Sequence, residues 1–138
     1  MTVYVDSSAL VKLLIVEPGS EAAAEIWRSA DLPVAARIEY AEVRAALASA
    51  ARGGRITKTQ LRAAKADFEA LWMDFQIVEI TKELTKLGGE LAEAEGLRGY
   101  DAIHLAAAIT AEADVLATAD VQLFEAAARQ GLHVTNPA

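Results

Sequence analysis

The chain has 138 residues, 54% apolar and 24% charged, which suits one folded core and predicts a single domain over residues 1–138. Its net charge of −7 speaks against a passive nucleic-acid binder with a basic surface, but not against an enzyme whose bound metal supplies the positive charge. With no cysteine, and histidine only at His104 and His133, disulfides, thiolate sites and the usual zinc sites are excluded.

The first expected strand runs from Val3 to Asp6, and no basic segment ahead of an apolar stretch marks a signal peptide. The longest apolar run, from Ala9 to Val16, is broken by Lys12 and is far too short to cross a bilayer, so a cytoplasmic protein without membrane association is expected. Pro18-Gly19-Ser20 reads as a turn opening a helix whose apolar side carries Ile26, Trp27 and Ala30. A second strand, from Leu32 to Ala36, feeds a helix that begins near Arg37 and ends at Gly53-Gly54. Leu61, Ala64, Phe68, Leu71, Trp72 and Phe75 then fall on one helical stripe.

A third strand is expected from Gln76 to Ile80, followed by a helix with Leu84, Leu87, Leu91 and Ala94 on one side. Gly88-Gly89 interrupts that helix at a cost of roughly 1 kcal/mol per glycine relative to alanine, which implies either close packing or a kink. The next helix runs from Asp101 to about Glu112 and leads into a fourth strand from Val115 to Thr118. A helix bearing Leu123 and Phe124 and a fifth strand from Leu132 to Thr135 complete the pattern. Short apolar strands alternating with helices predict an α/β fold with a parallel sheet covered by helices.

Twenty acidic residues say little individually, and position along the strands sorts them. Ligands of an open parallel sheet bind at the carboxyl ends of its strands. Asp6 closes the first strand and Asp120 follows the fourth, so both lie at that edge. Glu42 lies in the first turns of the helix leaving the second strand. Asp101 opens the helix that must run to the opposite edge to begin the fourth strand. Asp6, Glu42, Asp101 and Asp120 therefore converge, whereas Asp114 precedes the fourth strand and belongs at the opposite edge. Most other acids punctuate amphipathic helices as solvated charges.

Like-charged carboxylates ~4 Å apart repel by roughly 4 kcal/mol per pair at an effective dielectric of about 20. Such a cluster takes up protons or binds a divalent cation, and all-oxygen ligands select magnesium, with manganese as substitute, over zinc. A hard cation with waters left on it suits phosphodiester hydrolysis. Taken singly, Asp6, Asp101 and Asp120 read equally well as helix-capping or first-turn acids.

Four segments carry a family resemblance: Val5-Asp6-Ser7-Ser8-Ala9-Leu10-Val11-Lys12, Glu42-Val43-Arg44-Ala45-Ala46-Leu47, Tyr100-Asp101-Ala102-Ile103-His104-Leu105-Ala106, and Ala117-Thr118-Ala119-Asp120-Val121-Gln122-Leu123. In order and spacing the chain resembles PIN domains of the VapC-type toxins over nearly its whole length. The resemblance implies a three-layer α/β/α PIN-like fold with a short, mainly parallel central sheet. It further implies metal-dependent endonucleolytic cleavage of RNA, with Asp6, Glu42, Asp101 and Asp120 as catalytic, metal-holding acids and Asp6 and Asp101 as the firmest ligands. Ser7 and Thr118 become residues that orient those carboxylates. A homodimer and a cognate antitoxin, gripped in a helix-lined groove, follow from the same likeness; Leu13, Leu14, Trp27, Phe68, Leu71 and Trp72 are either all core, Phe68 and Leu71 above all, or the apolar surface for those partners, and the likeness favours the surface.

Three other readings compete. A non-cleaving RNA- or protein-binding module of the same fold would not need all four acids. An aspartyl phosphotransferase using Asp6 often carries a second acid where this chain has Ser8. A histidine nuclease would use His104 and His133, yet His104 lies in an apolar helix where a hydrogen-bonded core histidine is commoner. Lys12, Arg37, Arg44 and Arg98 lie close enough to the edge to meet phosphates.

Overall fold

A computed structural model describes all 138 residues. Five strands, β1 (Thr2–Val5), β2 (Leu32–Ala36), β3 (Gln76–Val78), β4 (Val115–Ala117) and β5 (His133–Thr135), form one sheet in the order β3-β2-β1-β4-β5. Every pairing is parallel, with Tyr4 opposite Val34 on one side and Leu116 on the other. Seven helices cover it: α1 (Ser7–Val11), α2 (Ser20–Ser29), α3 (Glu39–Arg52), α4 (Lys58–Trp72), α5 (Lys82–Glu95), α6 (Gly99–Thr110) and α7 (Val121–Arg129). This is the expected three-layer α/β/α arrangement.

Strand alternation divides the core into two. Val3, Val5, Ala35 and Ala117 face the layer of α1 to α4, packing with Leu10, Val43, Leu47 and Phe68. Tyr4, Val34, Ala36 and Leu116 face the layer of α5 to α7, packing with Leu91, Leu105 and Leu123. A period of two is what places consecutive residues on opposite faces. Because both faces are covered, the strands lack polar alternation.

The chain builds outward from β1 to β2 and β3, then returns across the sheet to β4 and β5. The order therefore reverses between β1 and β4, which is where a parallel sheet opens a crevice at its carboxyl edge.

Several expected boundaries shift, each for a local reason. β1 stops at Val5, because Asp6 turns out of the sheet to cap α1 by accepting from the Ser7 amide. β4 stops at Ala117, and α6 begins two residues before Asp101, so that acid sits in its first turn. On α5 the buried line is Leu84, Gly88 and Leu91, while Ala94 faces solvent. A Cβ at Gly88 would lie 2.9 Å from Ile103 Cδ1, so Gly88 marks close packing of α5 on α6. Gly19, at φ +93°, is the N-cap of α2 in a conformation that side chains rarely adopt. Phe68 is fully buried and belongs to the core, so it offers no surface to a partner; Leu13, Leu14, Trp27, Leu71 and Trp72 are half-buried.

Candidate active site at the carboxyl edge

Asp6 is held from three sides. Its Oδ1 accepts from the Ser7 amide at 2.7 Å, and its Oδ2 accepts from the Ser8 and Thr118 hydroxyls, each at 2.7 Å. Ser8 Oγ in turn accepts from the Ala119 amide at 2.9 Å, and Thr118 Oγ1 from the Asp120 amide at 3.0 Å. The end of β1 and the turn after β4 are thus sewn together through one carboxylate that is 5% exposed. Asp120 caps α7, accepting from the Leu123 amide at 3.1 Å, so it fills both the cap and the edge position that the sequence offered.

Glu42, in the first turn of α3, accepts from Ser7 Oγ at 2.7 Å. Asp101, buried in the first turn of α6, accepts from Arg98 Nε at 3.2 Å. Burial raises the Asp101 pKa, Arg98 works against that, and the nearby Asp120 charge adds to the rise. A carboxyl destabilised by burial and a like charge is one whose ionised form a bound cation would favour.

His104 is the residue whose place the sequence reading missed. It is buried as expected, yet it faces the acids, with Nε2 2.8 Å from Glu42 Oε1 and 3.6 Å from Asp6 Oδ1. Its Nδ1 meets the Tyr4 hydroxyl at 2.8 Å and lies 3.8 Å from Glu39 Oε2. Burial alone would lower its pKa, but the Glu42 hydrogen bond and the charges of Asp6, Glu39 and Glu42 raise it to about 10. Burial acts to raise the Glu42 pKa, and the His104 and Ser7 contacts outweigh it, leaving it below the ordinary value. The signal was spacing: three residues past Asp101, His104 lies on the same side of α6.

Glu39 was also missed. It is fully buried, its Oε2 accepts from the Ala36 amide at 2.9 Å, and its Oε1 has no partner. Burial drives its pKa well up, His104 opposes and Asp6 adds to the rise. Of the four basic residues near the edge, only Arg98 turns to the acids. Lys12 bonds Glu17 and the Pro18 carbonyl, Arg37 pairs with Glu79, and Arg44 joins Tyr40 and Glu69. Arg98 lies over the ring of the half-exposed Tyr100, 5.0 Å from its centroid. His133 is exposed on β5, and Asp114 accepts from the Thr2 amide at the amino edge.

No three Asp, Glu or His side chains close into a ready-made cage. A small hard cation that keeps its waters needs only one or two carboxylates, not a full cage. His104 is no ligand as it stands, because Nε2 faces a carboxylate that can only accept.

Residues 3–130 match the model of the PIN domain. The chain belongs to the PIN-domain family. Among relatives of this PIN domain, Ribonuclease VapC45 of Mycobacterium tuberculosis is 46% identical over 107 residues, which cover 78% of this chain and 74% of that one. FitAcB from Neisseria gonorrhoeae superposes with a TM-score of 0.74 at 18% identity, covering 98% of this chain and 97% of the other. A toxin–antitoxin complex from Klebsiella pneumoniae gives a TM-score of 0.69 at 21% identity, covering 99% and 98%. The last two likenesses establish the fold.

Proposed function

We propose that this PIN domain is a metal-dependent endoribonuclease and the toxin half of a toxin–antitoxin pair. The observation that carries the reading is the gathering of Asp6, Glu42, Asp101 and Asp120, from four separate segments, at the strand-order reversal. A relative named as a ribonuclease at 46% identity supports it.

Magnesium held by Asp6 and Asp101 would lower the pKa of a bound water and neutralise charge developing on the phosphate. Around it the chain does the positioning. Ser7, Ser8 and Thr118 fix the Asp6 carboxylate, and Ser7 with His104 fixes Glu42. Glu42 and Asp120 would complete the carboxylates that hold the cation and its waters. Arg98, 62% exposed at the mouth, reaches a phosphate oxygen of the substrate once Asp101 has another partner.

Incubating the purified chain with single-stranded RNA and magnesium should yield discrete fragments, mapped by sequencing their new ends. RNA left intact with either magnesium or manganese would favour the non-cleaving module instead. The inhibitor is an antitoxin segment that lays apolar side chains near Trp27 or Trp72 and sets an arginine against the acids. The half-buried Leu13, Leu14, Trp27, Leu71 and Trp72 supply the apolar surface for that segment and for a second copy of the chain.

A further inference from the structure

His104 has the burial of a core residue and the contacts of a site residue. We propose that His104 is the positioning residue of this site, holding Glu42 across the layers through Nε2–H while Tyr4 and Glu39 fix its ring from behind. The inference rests on the ribonuclease reading above and adds to it a residue that touches neither metal nor RNA.

Three observations carry it. The first is the direction of the hydrogen bond. Tyr4 Oη either donates to His104 Nδ1 or accepts from it, but the Glu42 carboxylate only accepts, so Nε2 carries the hydrogen in every consistent arrangement. The second is rigidity. His104 is 2% exposed, with the Tyr4 ring edge-on at 6.0 Å between centroids and Glu39 Oε2 at 3.8 Å, so the imidazole has no room to swing. Tyr4 comes from the central strand and Glu39 from α3, whose Oε2 is itself tied to the Ala36 amide at the end of β2.

The third is reach. Glu42 belongs to α3, in one helical layer, and His104 to α6, in the other. Apart from His104, the Glu42 carboxylate is held only by the Ser7 hydroxyl at 2.7 Å. Nε2 also stands 3.6 Å from Asp6 Oδ1, so the same ring sets the spacing between the two acids of the first layer. Groups that orient metal-holding carboxylates typically govern metal affinity or activity by ~10- to 100-fold.

The test uses replacements that differ in one donor. In His104→Gln the side-chain amide can present an N–H near the Nε2 position, while His104→Leu fills the space without it. Both are compared with wild type for kcat and KM on an RNA oligonucleotide, and for Mn2+ affinity by electron paramagnetic resonance without RNA. His104→Leu is expected to weaken Mn2+ binding and lower kcat by ~10- to 100-fold, leaving KM within about twofold, and His104→Gln to recover most of both. In a Glu42→Gln background, His104→Leu should cost less than about threefold more, since residues acting as a unit are not additive. Unchanged Mn2+ affinity in His104→Leu, or penalties that multiply in the double variant, overturns the proposal. Should His104→Leu fail to fold, Tyr4→Phe decides the point: it removes only the hydroxyl at Nδ1 and should weaken Mn2+ binding, and unaltered binding there refutes the assignment. A wild type that binds Mn2+ without cutting RNA ends the nuclease reading alone, and the Mn2+ titrations still judge His104.

Discussion

Asp6→Asn and Asp101→Asn should both stop RNA cleavage, but only Asp6→Asn should lower stability. Asp6 accepts three hydrogen bonds at 2.7 Å from Ser7, Ser8 and Thr118. A hydrogen bond to a charged group contributes about 1.5–3 kcal/mol and a neutral one about 0.5–1.5 kcal/mol, so losing the charge costs ~1 kcal/mol per bond. The amide nitrogen must also face two hydroxyls that now donate to Oδ2 and would have to turn round. Relief of repulsion among the acids offsets part of this, leaving a net loss of about 2 kcal/mol and a fall in Tm of roughly 6–8 °C for a chain of this size. Asp101 has only Arg98, whose side chain is 62% exposed, and such a pair contributes at most ~1 kcal/mol. Burial and Asp120 act against its charge, so Asp101→Asn should leave Tm unchanged or raise it. The assay is thermal unfolding by fluorescence in chelator, beside cleavage of an RNA oligonucleotide in magnesium, where each variant should lose ~100-fold or more. If Asp6→Asn melts at or above Asp101→Asn, the hydrogen-bond account of Asp6 is wrong. Wild-type cleavage by either variant removes that acid from the site.

Cleavage should vanish in EDTA and return with magnesium or manganese but poorly with zinc; full activity in excess chelator would refute the carboxylate mechanism. Phe68→Ala, at a fully buried ring stacked near Tyr40 and Trp72, should cost about 3–5 kcal/mol, read as a drop in the denaturant midpoint, and a change under 1 kcal/mol would mean that the α4 stripe is not core. Light scattering should find a dimer, and an inhibitory antitoxin peptide should change tryptophan fluorescence; a strict monomer whose tryptophans ignore that peptide would sink the proposed interfaces.

All five strands were legible because each is a short apolar run between helical stretches, and residues 32–36 match in full. The convergence of the acids was legible for a related reason. In a parallel sheet, chain direction alone tells which end of each strand a residue occupies. Glu39 and His104 were not, since a hydrophobicity pattern gives the side of a helix but not which partner waits there. Glu39 is one of two acids three residues apart on α3, and nothing in the sequence ranks the buried one. His104 sits among apolar neighbours whose spacing is that of a core. Only the folded sheet, which brings the first turns of α3 and α6 from opposite layers to one edge, sets its ring against Glu42, and that is a tertiary fact. The apolar residues assigned to partners divide for the same reason, with Phe68 inside and Trp72 half out.

The order of the strands also splits the proposed site between two successive halves of the chain. Residues 1–78 supply β1 to β3 and the layer of α1 to α4, and so carry Asp6 and Glu42. Residues 79–138 supply the other layer with β4 and β5, and carry Asp101, Thr118 and Asp120. These halves meet along the β1–β4 pairing and where α6 packs on β2, and the proposed site lies at the carboxyl end of that seam. The first half by itself holds two of the four acids and none of the clamp that Thr118 places on Asp6. The edge is complete only once β4 lies beside β1.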